Sequence, residues 1–398
     1  KLKQIQDAAD HGIIALEHLL EVIEIIELTV HVCAPSRVLT FSVRRDSIKG
    51  YRYLNMEQEM NRPRIIVTGG AGFIGSHTAV ALSEAGYRPV IIDDLRNSHE
   101  SVISSMEDIL QSPLEWHRVD CGNKAGMSAV FSEPVAGAIH FAADKAVGES
   151  VANPEKYFDN NIGGTARFVS LLREHNVPHL VFSSSCTVYG EAQQLPVTES
   201  APLLPAASPY GFTKQACEFL LQSTHAAAEG KLGMAILRYF NPVGAHPSAK
   251  IGELPLGPPS NLVPFLTQAV SGLRGPLTVF GDDYPTPDGT CIRDYLHVCD
   301  LAEAHVAALK WLEKNPSSID TFNLGTGKGT SVKEVVASFQ RSTGLQVLHQ
   351  MGARRPGDVA AIYADPSKAT QQLGWTSKRT LDTCLADAWR WQKQMGAE

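Results

Sequence analysis

Three features of the 398-residue chain predict an α/β fold built on a doubly wound parallel sheet. Short apolar, β-branched runs alternate with helical patterns from residue 64 onward, as in a parallel sheet covered on both faces. A glycine-spaced turn, Gly69-Gly70-Ala71-Gly72-Phe73-Ile74-Gly75, joins the first run to the first helix. The next run ends on an acid, Asp93, 18 residues after Gly75. A smaller, mixed α/β C-terminal part is expected to follow, because Pro and Gly become dense over residues 241–289.

The elements follow in order. Residues 1–61 read as a separate extension, expected to be poorly structured. Residues 13–28 have the spacing of an amphipathic helix carrying Glu17, Glu21 and Glu24, whereas residues 44–61 lack an apolar pattern. The sequence opens on Lys1, and the functional chain is expected to begin near Met60. Arg64-Ile65-Ile66-Val67 is the first strand, residues 74–84 the first helix, stopped by Gly86, and residues 89–93 the second strand. Further strands are predicted at 114–119, 138–142, 180–183 and 234–239, with helices at 165–175 and 214–228. These make up a first domain over residues 62–240. Residues 241–398, with helices at 298–314, 331–340 and 382–394, form a second domain partly interleaved with it.

The glycine turn has the physics of a Rossmann-type dinucleotide cradle. Gly69 permits the tight turn, Gly72 lets backbone approach a pyrophosphate, and Gly75 lets helix and strand pack closely. Asp93 suits ribose hydroxyls and repels a 2′-phosphate, favouring NAD over NADP, although Arg96 lies close by. Asp120, ending the third strand, suits either an adenine amino group or a helix cap.

Tyr210 and Lys214, four residues apart, share one face of a helix that starts just after Pro209. Bringing a phenol from its usual value to neutrality takes roughly 4 kcal/mol, which a neighbouring ammonium and a positive nicotinamide ring could supply. Ser185, 25 residues upstream at a strand end, can relay the proton. Cradle and dyad together predict transfer of a hydride and a proton on an alcohol or ketone.

Other function classes are disfavoured. The net charge of -7, with no Lys/Arg run longer than two, argues against nucleic acid. Seven scattered cysteines without a Cys-x-x-Cys fit a reducing, cytoplasmic setting. The apolar stretch 13–32 is interrupted by four glutamates and 254–273 by four prolines, so no membrane span is expected. No metal is expected: Pro178 separates His175 from His179, and Asp282, Asp283 and Asp288 lack calcium-loop spacing. Cys186 has no histidine motif to make it a nucleophile.

Over about residues 63–394 the chain resembles the extended short-chain dehydrogenase/reductase family, and within it the group of UDP-sugar 4-epimerases. The runs that carry this are Val67-Thr68-Gly69-Gly70-Ala71-Gly72-Phe73-Ile74-Gly75, Lys145-Ala146-Val147-Gly148-Glu149-Ser150, Asp159-Asn160-Asn161 and Ser183-Ser184-Ser185-Cys186-Thr187-Val188-Tyr189-Gly190. Leu237-Arg238-Tyr239-Phe240-Asn241-Pro242-Val243-Gly244, Arg293-Asp294-Tyr295-Leu296-His297 and Arg354-Arg355-Pro356-Gly357-Asp358 complete them.

The resemblance implies interconversion of UDP-galactose and UDP-glucose through a 4-keto sugar, with a tightly held NAD transiently reduced. It implies Ser185, Tyr210 and Lys214 as catalytic residues. Implied cofactor contacts are these three with Gly69, Gly72, Phe73, Ile74, Gly75, Asp93, Asn97, Ser98, Asp120, Cys121, Phe141, Ala142, Lys145, Asn160 and Phe240. Implied substrate contacts are Lys145, Ser185, Tyr210, Asn241, Asn261, Leu262, Thr278, Val279, Phe280, Arg293, Arg355, Asp358 and Ile362. A homodimer is implied as well.

Two departures from the family pattern stand out. Asp144 replaces an apolar residue and is expected to pair with Lys145. Ile362 falls where family members vary the room for the sugar 2-substituent, so N-acetylated substrates are expected to fit. Among rivals, a 4,6-dehydratase wants an acid beside Ser185, where Cys186-Thr187 stands. A UDP-pentose epimerase shares the mechanism, and a non-catalytic NAD-binding redox sensor would not need Tyr210 or Lys214.

Overall fold

The computed structural model describes residues 29–33, 38–42, 62–355 and 357–396. The chain divides into two compact units, Lys1–Arg62 and Pro63–Glu398. In the first, Thr29–Cys33 pairs antiparallel with Val38–Ser42, a hairpin that the sequence pattern does not predict. The helix expected over 13–28 and the start expected near Met60 lie outside the described residues.

The second unit is built on seven parallel strands: β1 Arg64–Thr68, β2 Arg88–Asp93, β3 Glu115–Arg118, β4 Gly137–His140, β5 His179–Ser185, β6 Gly233–Tyr239 and β7 Ile319–Leu324. Their order is β3-β2-β1-β4-β5-β6-β7. The order therefore reverses between β1 and β4, where open α/β sheets bind ligands at the carboxyl ends of the strands.

Strand periodicity sorts the core into two faces. Ile65, Val67, Ile139, Val181, Ala235 and Leu237 join one cluster, covered by helices α1 Phe73–Glu84, α2 Ser101–Leu110 and α6 Val298–Lys314. Ile66, Ala138, Leu180, Phe182, Met234 and Ile236 join the other, under α3 Gly164–Glu174 and α4 Pro209–Ala227. Helix α4 begins earlier than residue 214, because Ser208 caps it and Pro209 is preorganised for a first turn. Tyr210 is thereby fixed in that first turn.

The expected strand 138–142 ends at His140, and the expected strand 180–183 extends to Ser185. β7 and the short helix α5 Leu262–Val270 are elements that the sequence pattern does not predict. Pro264 sits in the first turn of α5, where a missing N–H costs nothing. Helices α5, α7 Val332–Thr343 and α8 Leu381–Met395 pack around Leu266, Phe339 and Leu385 as a separate cluster. Among the described residues, no helix is long and apolar enough to cross a membrane.

Candidate active site

The glycine turn sits at the carboxyl end of β1. Gly69 takes φ +67°, and a Cβ there would lie 2.9 Å from the Ala142 amide nitrogen. A Cβ on Gly75 would stand 2.2 Å from the Gly69 carbonyl oxygen, so only glycine lets α1 seat against the turn. Gly72 caps α1 without a side-chain bond, and no acid occupies the first turn. The leading N–H groups, from Phe73, Ile74 and Gly75, are therefore free of side-chain caps and suited to an anion. Asp93 is locked to this turn: one carboxylate oxygen accepts from Ala71 N at 3.0 Å, the other from Leu95 N at 2.9 Å and Ser98 Oγ at 2.7 Å. An open glycine cradle beside a fixed acid fits an NAD pyrophosphate and ribose.

Phe141 and Ala142 follow β4 with their amides on Thr68. Arg96 donates to Asp94, to Asn160 Oδ1 at 2.7 Å and to Asp120 Oδ2 at 3.0 Å. Flanked by two carboxylates, it is already neutralised, a poor partner for a 2′-phosphate. Cys121 beside them is buried, its thiol pushed up to about 12 by desolvation and the neighbouring Asp120, so it lines rather than reacts.

Asp144 does not pair with Lys145, as its place in the sequence suggests. Its buried carboxylate accepts from Asn97 Nδ2 at 2.9 Å and Asn160 Nδ2 at 3.0 Å, with Lys156 Nζ at 3.6 Å. Lys145 reaches the other way, to Glu253 Oε1 at 3.3 Å, and Asn261 Nδ2 donates to the same oxygen at 2.7 Å. Glu253, which no motif flags, thus joins a predicted cofactor residue to a predicted substrate residue.

Ser185 faces Tyr210 at the end of β5, and Lys214 reaches the same strand two residues earlier, at the Ser183 carbonyl. Ser185 Oγ accepts from Thr187 N at 3.2 Å and Thr187 Oγ1 at 3.0 Å, and its own O–H faces Tyr210 and Cys186. Thr187 is a further residue to which the sequence motifs assign no role. Tyr210 as a whole is half-buried, yet desolvation pushes its phenol up to about 12, opposed by the bond from Ser185. Desolvation also brings Lys214 down to about 8, opposed by Cys217 and Glu218. Lys214 Nζ donates to Ser183 O at 2.7 Å, 5.1 Å over the Phe182 ring.

Asp358 gathers two predicted arginines: Arg355 Nε lies 2.9 Å and Arg293 Nη2 3.6 Å from its carboxylate. The Arg355 guanidinium stacks 5.1 Å over Phe280, which ends the strand Leu277–Phe280 bearing Thr278 and Val279. The pair Ile292–Arg293 runs parallel to Ala361–Ile362, setting Arg293 opposite Ile362. Ile362 is buried against Val188, Tyr189 and Phe240. Asn241 opens a short strand paired with Tyr295–His297, and Leu262 opens α5 after Asn261.

A family model described as GDP-mannose 4,6 dehydratase matches residues 66–388. The chain is 48% identical over 330 residues to a UDP-glucose 4-epimerase of Dictyostelium discoideum, covering 83% of this chain and 95% of that one. It is 47% identical to a UDP-glucose 4-epimerase of Bacillus subtilis over 82% of this chain and 96% of the relative. A UDP-glucose 4-epimerase structure from Stenotrophomonas maltophila, with bound NAD and formylated UDP-arabinopyranose, superposes at TM-score 0.81 and 45% identity, over 85% of this chain and 99% of that chain. One from Bifidobacterium longum with NAD+ and UDP superposes at TM-score 0.80 and 42% identity, over 83% and 98%.

Proposed function

The chain belongs to the UDP-glucose 4-epimerases, within the wider family described as GDP-mannose 4,6 dehydratase, and from that premise we infer how its residues divide the work. It is an NAD-dependent isomerase that interconverts UDP-galactose and UDP-glucose.

What supports the assignment of roles is Ser185 facing Tyr210 at the end of β5, with Lys214 on the Ser183 carbonyl of the same strand. NAD, held by the glycine turn and Asp93, would supply a hydride acceptor and donor and, when oxidised, a positive charge. Tyr210 takes the proton of the sugar 4-hydroxyl, and Ser185 donates a hydrogen bond that steadies the phenolate as it forms. Lys214, held by the Ser183 carbonyl, keeps positive charge behind them. Gly69, Gly72, Phe73, Ile74 and Gly75 seat the pyrophosphate, Asp93 the ribose and Asp120 the adenine. Arg293 and Arg355, oriented by Asp358, grip the UDP diphosphate by charge-assisted bonds. Asn241, Asn261, Leu262, Thr278, Val279 and Phe280 hold the nucleotide. The sugar, gripped only through its nucleotide, is free to turn over, and Tyr210 returns the proton to the C4 oxygen.

The reading extends to galactose metabolism in the cytoplasm, supported by Cys121, Cys186, Cys217, Cys291, Cys299 and Cys384 all being free. It extends to a homodimer, supported by exposed Phe212 and Phe219 on α4 and Phe158 against Phe212. A UDP-pentose activity is a second reading, favoured by the arabinopyranose nucleotide in the Stenotrophomonas relative.

The test is incubation of the purified protein with UDP-galactose, without added NAD, beside Tyr210→Phe. UDP-glucose formed by wild type but not by the variant is expected. A variant as active as wild type would remove Tyr210 from the chemistry.

A further inference from the structure

We propose that Arg96 and Asp144 tie a strap across the cofactor crevice and set how fast bound NAD leaves. The inference rests on the NAD-binding role of this crevice. Strand order reverses between β1 and β4, so the crevice opens between two banks. One bank is made by the segments at the carboxyl ends of β2 and β3, the other by the segment at the carboxyl end of β4. Residues 94–98 extend from β2, and Asp120 lies just past β3. Asp144 lies just past β4, and Asn160 sits farther along in the π-helical turn Phe158–Gly163.

Two bonds cross from one bank to the other. Asn97 Nδ2 donates to Asp144 Oδ1 at 2.9 Å, and Arg96 Nη1 donates to Asn160 Oδ1 at 2.7 Å. Asn160 closes the loop by donating its Nδ2 to Asp144 Oδ2 at 3.0 Å. Arg96 also reaches Asp120 at 3.0 Å, anchoring the strap on its own bank. Asp144 is the central member. Its carboxylate is 2% exposed and accepts from both asparagines, with Lys156 beside it to balance the charge. An apolar residue at 144 could accept neither bond. A cofactor lying in the crevice between these banks can leave only after the crossing bonds open.

The two ties differ physically. Arg96 is 44% exposed, so its links to Asp94 and Asp120 are screened by salt, whereas the buried Asp144 links are not. Asp144→Asn keeps the volume but turns one of the two accepting oxygens into an amide NH2, which faces an asparagine donor and cannot accept from it, so one of the two bonds is lost. Arg96→Ala removes the exposed tie alone.

The experiment follows the fluorescence of enzyme-bound reduced cofactor after a chase with excess NAD, for wild type, Arg96→Ala and Asp144→Asn. Each variant is expected to release cofactor about 3–10-fold faster, the effect of losing one or two modest polar ties. Raising salt from about 0.05 to about 0.5 M should speed release from wild type and Asp144→Asn but not from Arg96→Ala. Release at the wild-type rate from both variants overturns the strap while leaving the cofactor site intact. A wild type that neither carries nor takes up NAD overturns the cofactor reading and the strap with it. Should Asp144→Asn fail to fold, the surface change Arg96→Ala and its salt dependence still decide.

Discussion

Glu218→Gln tests how much the catalytic helix depends on a charge pair buried behind it. Glu218 is one turn after Lys214 and 1% exposed, and Arg238 on β6 is 5% exposed. Glu218 Oε1 accepts from Arg238 Nε at 2.9 Å and Ser184 Oγ at 2.5 Å, while Oε2 accepts from Arg238 Nη2 at 2.5 Å. Arg238 also donates to Tyr189 Oη at 3.0 Å, which in turn donates to Asn323 at 2.6 Å. Neutralising Glu218 leaves a buried guanidinium without its counter-charge, a loss of about 3–5 kcal/mol. At about 2 °C per kcal/mol for a large unit, the melting midpoint should fall by roughly 6–10 °C. Glu218→Leu with Arg238→Met removes both charges. It should return to within about 2 kcal/mol of wild type, the remaining deficit being the Ser184 hydroxyl left without its acceptor and the Tyr189 hydroxyl left with Asn323 alone. Because Glu218 also holds Lys214 up, the single variant should shift the alkaline limb of turnover to lower pH. Urea titrations of the three proteins, with a pH–rate profile of the single variant, measure all of this. A single variant costing under about 1 kcal/mol, or a double variant as damaged as the single, would refute the reasoning.

Four further outcomes are expected. Burial holds Lys214 down to about 8, so it is a cation below that value and neutral above it; kcat should fall as pH rises through about 8, and a flat profile to about pH 9.5 would remove the ammonium from the mechanism. By linkage, the unfolded chain binds more protons than the folded one between about 8 and the ordinary lysine value of about 10.4, so this residue's contribution to stability rises with pH across that window. Gly75→Ala places a methyl 2.2 Å from the Gly69 carbonyl, so the protein should lose about 1–3 kcal/mol of stability and purify without NAD, read by cofactor extraction. Wild type should turn over UDP-GalNAc, and Ile362→Tyr should abolish that activity while sparing UDP-galactose; a wild type inactive on UDP-GalNAc sinks the idea.

The parts of the fold legible in the sequence are those whose signal is local. β1, β2, β5 and β6 are apolar runs because both their faces are covered, and the glycine turn is legible because backbone contact forces the residue type. Tyr210 and Lys214 are legible through helical spacing. β7 is not legible because Ile-Asp-Thr-Phe-Asn-Leu is only half-covered, with its first three residues partly exposed at the sheet edge. The partners of Asp144 are hidden because they come from two segments, one at Asn97 and one spanning Lys156 to Asn160, whereas adjacency to Lys145 is the only clue the local pattern offers. Glu253 carries no signal, since its role lies wholly in the two side chains that fold against it.

The last strand of the sheet arrives late. β6 is buried along all seven residues, and one of its two pairing edges is covered by β7, made some 80 residues later. Until residues 319–324 leave the ribosome, that edge is a row of unpaired amides and carbonyls on an apolar strand, open to pairing with another chain. Truncations ending before residue 319 should therefore aggregate rather than yield a half-sized nucleotide-binding domain, and the growing chain is most exposed to misassembly over that same interval.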